Sequence, residues 1–269
     1  MPAATRMRFT AKLHRNLELS MFSFDEIRTA LDNEEFFLEY IPTISLADNR
    51  CVGGEALVRW QRGNEVIYPM EFISCIENTP ISGTLTYWVM DNVAKELRDW
   101  MLKRDAIRIS INVPPEIFGR GALQYVGRAS GLADVADKLV IEVTERGILD
   151  ALGVDGVQRM VKKTKVLIAV DDVSENDASL LVLSRIPADI VKLDKSFADQ
   201  MLRPDWSDQK IAGISALVRN GELCIVAEGV ETARQAEILA DAGIQYAQGW
   251  YFSRSLRAPD FIRYFCEHR

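Results

Sequence analysis

Apolar positions along this chain follow two rhythms. In "SFDEIRTALDNEE", from Ser23, Ile27 and Leu31 recur at helical spacing behind a Ser-x-x-Glu capping box, so a helix is expected to start there. Beyond it, short apolar runs alternate with helical patterns. The runs are "FFLEYIPTISL", "CVGGEALVRW", "IRISINV", "KLVIEVTE", "VLIAVDD", "DIVKLDK", "LCIVAEGV" and "YAQGWYFS". Each is short enough for a strand and too continuous for a half-exposed one, the mark of strands covered on both faces.

The intervening segments read as helices: "MEFISCIEN" after Pro69, "TLTYWVMDNVAKELRDWMLKR", "DGVQRMVKKTK", "DASLLVLSRI", "DQKIAGISALVRN" and "TARQAEILADAG". Thr232 is the expected N-cap of the last and Gly243 its stop. Eight strands with intervening helices predict an α/β fold, a (β/α)8 TIM-like barrel. Only "ADNR" separates the first two runs, which suits a hairpin and makes the first strand antiparallel. Residues 1–20 read as an N-terminal tail, basic through Arg6, Arg8, Lys12 and Arg15, and residues 21–269 as one domain.

The 269 residues, 48% hydrophobic and 26% charged, suffice for a large core. A net charge of −7 disfavours broad binding of a nucleic-acid polymer, which requires a basic face. No run approaches a membrane span and the N-terminus lacks the apolar centre of a signal peptide, so a cytoplasmic location without membrane attachment is expected. Cys51, Cys75, Cys224 and Cys266 form no CxxC pair, which argues against zinc and a disulfide framework. His14 and His268 lie near the chain ends, so any chemistry falls to carboxylates, amides and lysine.

Those residues are present at the strand ends. Glu55 lies in the second predicted strand, Asn112 closes the third, Glu142 and Glu145 the fourth, Asp171 and Asp172 the fifth, and Lys192 and Asp194 the sixth. Glu228 and Glu231 follow the seventh, and Gln248 lies in the eighth. One such residue is ordinary strand-end polarity; seven strands aiming polar groups at the C-terminal face of a barrel point to one pocket. Carboxylates with an amide suit magnesium or manganese, and a carboxylate pair can serve two neighbouring ions, the layout of phosphoester hydrolysis. A Schiff-base role for Lys192 is disfavoured, because surrounding carboxylates stabilise its charged form.

At these residues the chain resembles the EAL family of cyclic di-GMP phosphodiesterases. "EALVRW" from Glu55 carries the name motif, and "IEVTE", "AVDD", "KLDKSF", "VAEGVET" and "QGWYFSR" match later family motifs in order over roughly residues 22 to 265. The resemblance implies hydrolysis of cyclic di-GMP to linear pGpG with two Mg2+ or Mn2+ ions. It implies metal ligation by Glu55, Asn112, Glu142, Asp171 and Asp172, and catalytic roles for Lys192, on water and a phosphate oxygen, and for Glu228. Leu57, Arg59 and Gln248 match substrate-binding positions, and Glu145, with Asp194 and Glu231, a supporting shell. Regulation is expected through abundance, a homodimer or a regulatory protein partner.

One stretch departs from the family. Asp172 is followed by "VSENDAS", Val173 to Ser179, where the family usually reads Phe-Gly-Thr-Gly-Tyr-Ser-Ser. Two glycines and two aromatics are gone, and Glu175 and Asp177 add charge. "YIPT" at Tyr40 and Pro114 are smaller departures. The loop motivates the alternative of a weak or inactive EAL domain acting as a cyclic di-GMP receptor or protein-interaction module.

Overall fold

The computed structural model describes residues 22–119, 121–144, 151–173, 186–202 and 223–269. The chain forms two compact units. One comprises the described residues up to Phe37 with Val58–Leu85, the other Leu38–Leu57 with Thr86–Arg269.

The strands are β1 (Phe36–Ser45), β2 (Cys51–Arg62), β3 (Glu65–Ile67), β4 (Arg108–Asn112), β5 (Leu139–Thr144), β6 (Leu167–Val173), β7 (Ile190–Leu193), β8 (Cys224–Ala227) and β9 (Tyr246–Ala247). They form one sheet in the order β1-β9-β8-β7-β6-β5-β4-β2-β3, and β1 also pairs with β2. That pairing closes a barrel of eight strands, with β3 as an antiparallel extension of β2. All barrel neighbours from β2 through β9 run parallel, and β1 runs antiparallel to β9 as the short first connection predicts. The inward alternation of β1 contrasts with the continuously buried ends of β7 and β8.

Eight α-helices are described: α1 (Phe24–Asp32), α2 (Pro69–Ile76), α3 (Pro80–Met101), α4 (Ala122–Ala129), α5 (Ala151–Lys163), α6 (Lys195–Met201), α7 (Ala233–Asp241) and α8 (Ala258–Glu267). Ser23 and Glu26 form the predicted capping box, and Thr232 caps α7 with Gln235 closing a second box. Gly243, just past the α7 cap, has φ of +86°, a conformation that favours glycine and stops a helix. The α3 helix begins four residues before the sequence pattern places it. Pro80 fits a first helical turn and Thr79 Oγ1 accepts from the Ile81 amide. The helices expected in "DASLLVLSRI", up to its last residue, and "DQKIAGISALVRN" lie outside the described residues, as does the N-terminal tail.

In the first unit Trp60 is the hub, with the Phe22, Phe36 and Phe72 rings 4.8, 5.6 and 5.9 Å away and its indole N–H donating to Glu35 at 2.8 Å. In the second, Val191, Leu193, Phe197, Ile225, Val230, Leu239 and Ile244 form a buried cluster between strands and helices. Gly53 on β2 has a steric reason: a Cβ there would lie 2.0 Å from the Arg108 carbonyl oxygen of β4.

Candidate active site

The residues singled out at the strand ends of the second unit converge. Parallel pairing sets Glu55 on β2 opposite Ser110, and Asn112 on β4 opposite Glu142 on β5. β6 then presents Asp171, β7 presents Lys192, and Glu228 follows β8. Between β6 and β7 the pairing passes from Val170–Val191 to Val173–Leu193, three steps against two. The extra residue is a bulge on the Asp171-Asp172 pair, a device that re-aims side chains beside active sites.

Lys192, 2% exposed, is the centre. Its ammonium lies 2.9 Å from Glu55 Oε2, 2.8 Å from Glu142 Oε2, 2.5 Å from Glu228 Oε1 and 3.4 Å from Asp171 Oδ1. Asn112 Nδ2 donates to the other Glu55 oxygen at 2.7 Å. Asp171 Oδ1 is buried and, though within Coulombic reach of the ammonium, accepts no hydrogen bond. Glu55, Glu142 and Asp171 are buried, while the Glu228 side chain keeps 26% exposure.

Four carboxylates face one ammonium, and the imbalance shapes their acidity. Burial raises the Glu142 carboxyl well above its ordinary value, and the neighbouring Glu55 charge adds to this. Burial likewise pushes Glu228 up to about 7, against the pull of Lys192. For Glu55 burial acts upward, but the charge and hydrogen bond of Lys192 and the Asn112 amide outweigh it, and its pKa falls. Burial acts downward on Lys192, and the four carboxylates overcome it and raise the lysine well above its usual range. An amine so firmly protonated is no Schiff-base nucleophile, as the sequence reading anticipates.

The donor set is chemically suited to a hard divalent cation: carboxylates and an amide oxygen, with no thiolate or imidazole. Lys192 stands in for such a cation here. Among the described residues no three acidic, thiol or imidazole groups are grouped for a metal ion as they stand, because the carboxylates are arranged around the ammonium. By donor chemistry alone the set suits a cation in addition to the lysine, with Asp171 Oδ1 as the oxygen without a donor.

The remaining candidates are placed differently. Gln248 follows β9 rather than lying in it; its amide is buried and donates to Thr43 Oγ1 at 2.8 Å. Asp194 caps α6 through the Ser196 amide at 2.7 Å, and Glu231 pairs with Lys195 at 2.5 Å, so both order the segments after β7 and β8. Leu57 is half-buried on β2. Arg59 belongs to the first unit, where it is buried, donates to the Val58 carbonyl at 3.0 Å and lies 5.0 Å from the Tyr68 ring centre. Asp172 is the penultimate residue of β6; its side chain and all of Glu145 lie outside the described residues. Thr43 closes the "YIPT" departure but is not among the expected site residues, and its further signal is a polar residue at a mostly apolar strand end.

The EAL domain profile matches residues 25–255. The probable cyclic di-GMP phosphodiesterase PdeB of Escherichia coli (strain K12) is 29% identical over 250 residues, 90% of this chain and 47% of that protein. Uncharacterized protein Mb1392c of Mycobacterium bovis is 34% identical over 253 residues, 88% of this chain and 80% of that protein. The solved PaMucR phosphodiesterase in complex with c-di-GMP superposes with a TM-score of 0.77 at 29% identity, over 88% of this chain and 98% of that structure. The chain spans less than half of PdeB and 40% of uncharacterized protein Mb1389c of Mycobacterium bovis.

Proposed function

Since this chain belongs to the EAL domain family, we propose that it hydrolyses one phosphodiester bond of cyclic di-GMP, giving linear pGpG, with divalent metal ions. The observation that carries the proposal is the set of four carboxylates, three of them buried, and an amide around one buried ammonium, with Asp171 Oδ1 lacking a donor. Water adds to phosphorus as the bond to one 3′ oxygen breaks; the phosphate gains a hydroxyl and the leaving oxygen a proton.

Glu55, Asn112, Glu142 and Asp171 would hold one Mg2+ or Mn2+ ion, and Asp171 with Asp172 a second. When bound, the ions supply Lewis acidity that activates water and neutralises phosphate charge. Lys192 keeps its proton among the carboxylates, positions the attacking water and compensates charge developing on a phosphate oxygen. Glu228, held near neutrality by burial and partly open to solvent, is placed to exchange a proton. Leu57 and Gln248 contact the dinucleotide. Glu145, Asp194 and Glu231 order the surrounding loops. The protein works in the cytoplasm, as a homodimer or with a regulatory protein partner.

The deciding experiment is turnover of cyclic di-GMP to pGpG with excess Mn2+ and with EDTA, in the wild type and in Glu55→Ala. Metal-dependent turnover that Glu55→Ala abolishes is expected. Metal-independent hydrolysis, or a Glu55→Ala rate equal to wild type, would sink the proposal. The sequence "VSENDAS" after Asp172 favours a second reading, a weak or inactive receptor, which predicts nucleotide binding without turnover under the same conditions.

A further inference from the structure

Away from the carboxylate cluster the second unit has a cavity of about 220 Å³. Arg50, immediately before β2, Arg104, after α3, and Arg269, after α8, line it together with the apolar residues Val52, Ala106 and Phe265. These residues lie at the start of β2, just ahead of β4 and along α8, which sets the cavity at the end of the strands opposite Asn112 and Lys192.

The charges here are poorly balanced. Arg50 Nε bonds Asp48 Oδ2 at 2.5 Å, a pair half open to solvent. Among the described residues no carboxylate lies within ion-pair distance of the Arg104 side chain. Its guanidinium lies 4.7 Å from the Trp100 ring centre, donates to the Trp100 carbonyl at 3.3 Å and reaches Cys266 Sγ at 3.6 Å. Its Nε is buried with no acceptor. Three guanidiniums against one aspartate leave the side chains with an excess of two positive charges, and a buried N–H without a partner carries a desolvation cost that an acceptor would relieve.

We propose that this cavity is a binding site for a small phosphomonoester, with the phosphate on the Arg50, Arg104 and Arg269 guanidiniums and a compact apolar remainder against Val52, Ala106 and Phe265. A phosphomonoester carries close to two negative charges at neutral pH, which matches the excess. Guanidinium forks also pair bidentately with its oxygens. The volume admits a ligand of only a few non-hydrogen atoms beyond the phosphate, smaller than a dinucleotide. The site is independent of the proposed hydrolysis.

Phenyl phosphate is the probe, titrated calorimetrically into the full chain in EDTA at fixed ionic strength. Saturable binding is expected, with inorganic phosphate competing and succinate binding at least tenfold more weakly. Arg104→Ala should weaken phenyl phosphate at least tenfold. Because Arg104 also packs on Trp100, that variant can lose its fold, so Ala106→Trp, a change at an exposed residue that fills the cavity, provides the second test with the same expected loss. Arg59→Ala should retain binding. Wild-type affinity in folded Ala106→Trp, succinate binding as tightly as phenyl phosphate, or loss of binding in Arg59→Ala instead would each overturn the proposal.

Discussion

At one end of the barrel strands a single buried ammonium, Lys192, faces four carboxylates; at the other, the Arg104 guanidinium rests against a ring, a carbonyl and a thiol and has a buried N–H without an acceptor. Both cations are anchored by the same parallel sheet and its connections, yet their surroundings call for opposite ligands. Where acids outnumber cations, a further cation is stabilised; where guanidiniums outnumber acids, an anion is. Local charge balance, rather than the net charge of −7, decides what each end can hold.

The comparison breaks most sharply at Lys192. Lys192→Met keeps much of the volume and leaves the buried carboxylates without their cation, a change of the kind that costs about 3–5 kcal/mol when one partner of a buried pair is removed. In EDTA the variant should melt well below wild type, at about 2–4 °C per kcal/mol for a chain of this size. Mn2+ should then raise its melting temperature by more than it raises that of wild type, because the ion replaces the missing charge. Turnover should be lost under every condition. Equal Mn2+ stabilisation of both proteins would show that the ammonium and the metal do not answer the same charge.

The strand pattern made much of this end legible. All eight barrel strands appear as apolar runs, and Glu55, Asn112, Glu142, Asp171, Lys192 and Glu228 lie on or just after them, because a parallel barrel converts position along a strand into position at the site. The three-residue β3 was not legible, being too short for a periodic signal. The α4 and α8 helices were also missed, although Pro259 in the first turn of α8 is a usable start signal. Pairings between distant residues were illegible for a different reason. Nothing in the sequence joins Thr43 to Gln248, 205 residues apart, or brings Arg50 and Arg104 to one cavity, since each reads locally as an ordinary strand-end or surface residue.

A smaller effect is expected from the segment after Asp172. Glu175 and Asp177 add two acids within five residues of Asp172 in the sequence, and the family's glycines are absent. Replacing Val173 to Ser179 with Phe-Gly-Thr-Gly-Tyr-Ser-Ser removes both charges and restores backbone freedom. The metal concentration for half-maximal rate should fall several-fold and the maximal rate rise, measured at saturating cyclic di-GMP with melting curves as a folding control. A folded graft with unchanged metal requirement and rate would show that this segment does not limit the site.

The smallest expected effect tests what a neutral contact contributes at an end dominated by charge. Gln248 is buried, and its Nε2 donates to Thr43 Oγ1 on β1 at 2.8 Å. Thr43→Val preserves the β-branched shape that suits a strand and replaces the hydroxyl that accepts this bond with a methyl group. A neutral hydrogen bond contributes about 1 kcal/mol net, and leaving the buried amide without its acceptor sets the upper range of the loss at about 3 kcal/mol. If Gln248 orients the dinucleotide, the loss should appear as a roughly five-fold higher KM for cyclic di-GMP, with kcat and the metal requirement near wild type. Gln248→Ala should raise KM at least as much, and combining it with Thr43→Val should add nothing further, because both changes remove the same contact. Additive effects in the double variant would separate Thr43 from Gln248, and an unchanged KM in Thr43→Val would leave the hydrogen bond a purely structural tie between β1 and the segment after β9.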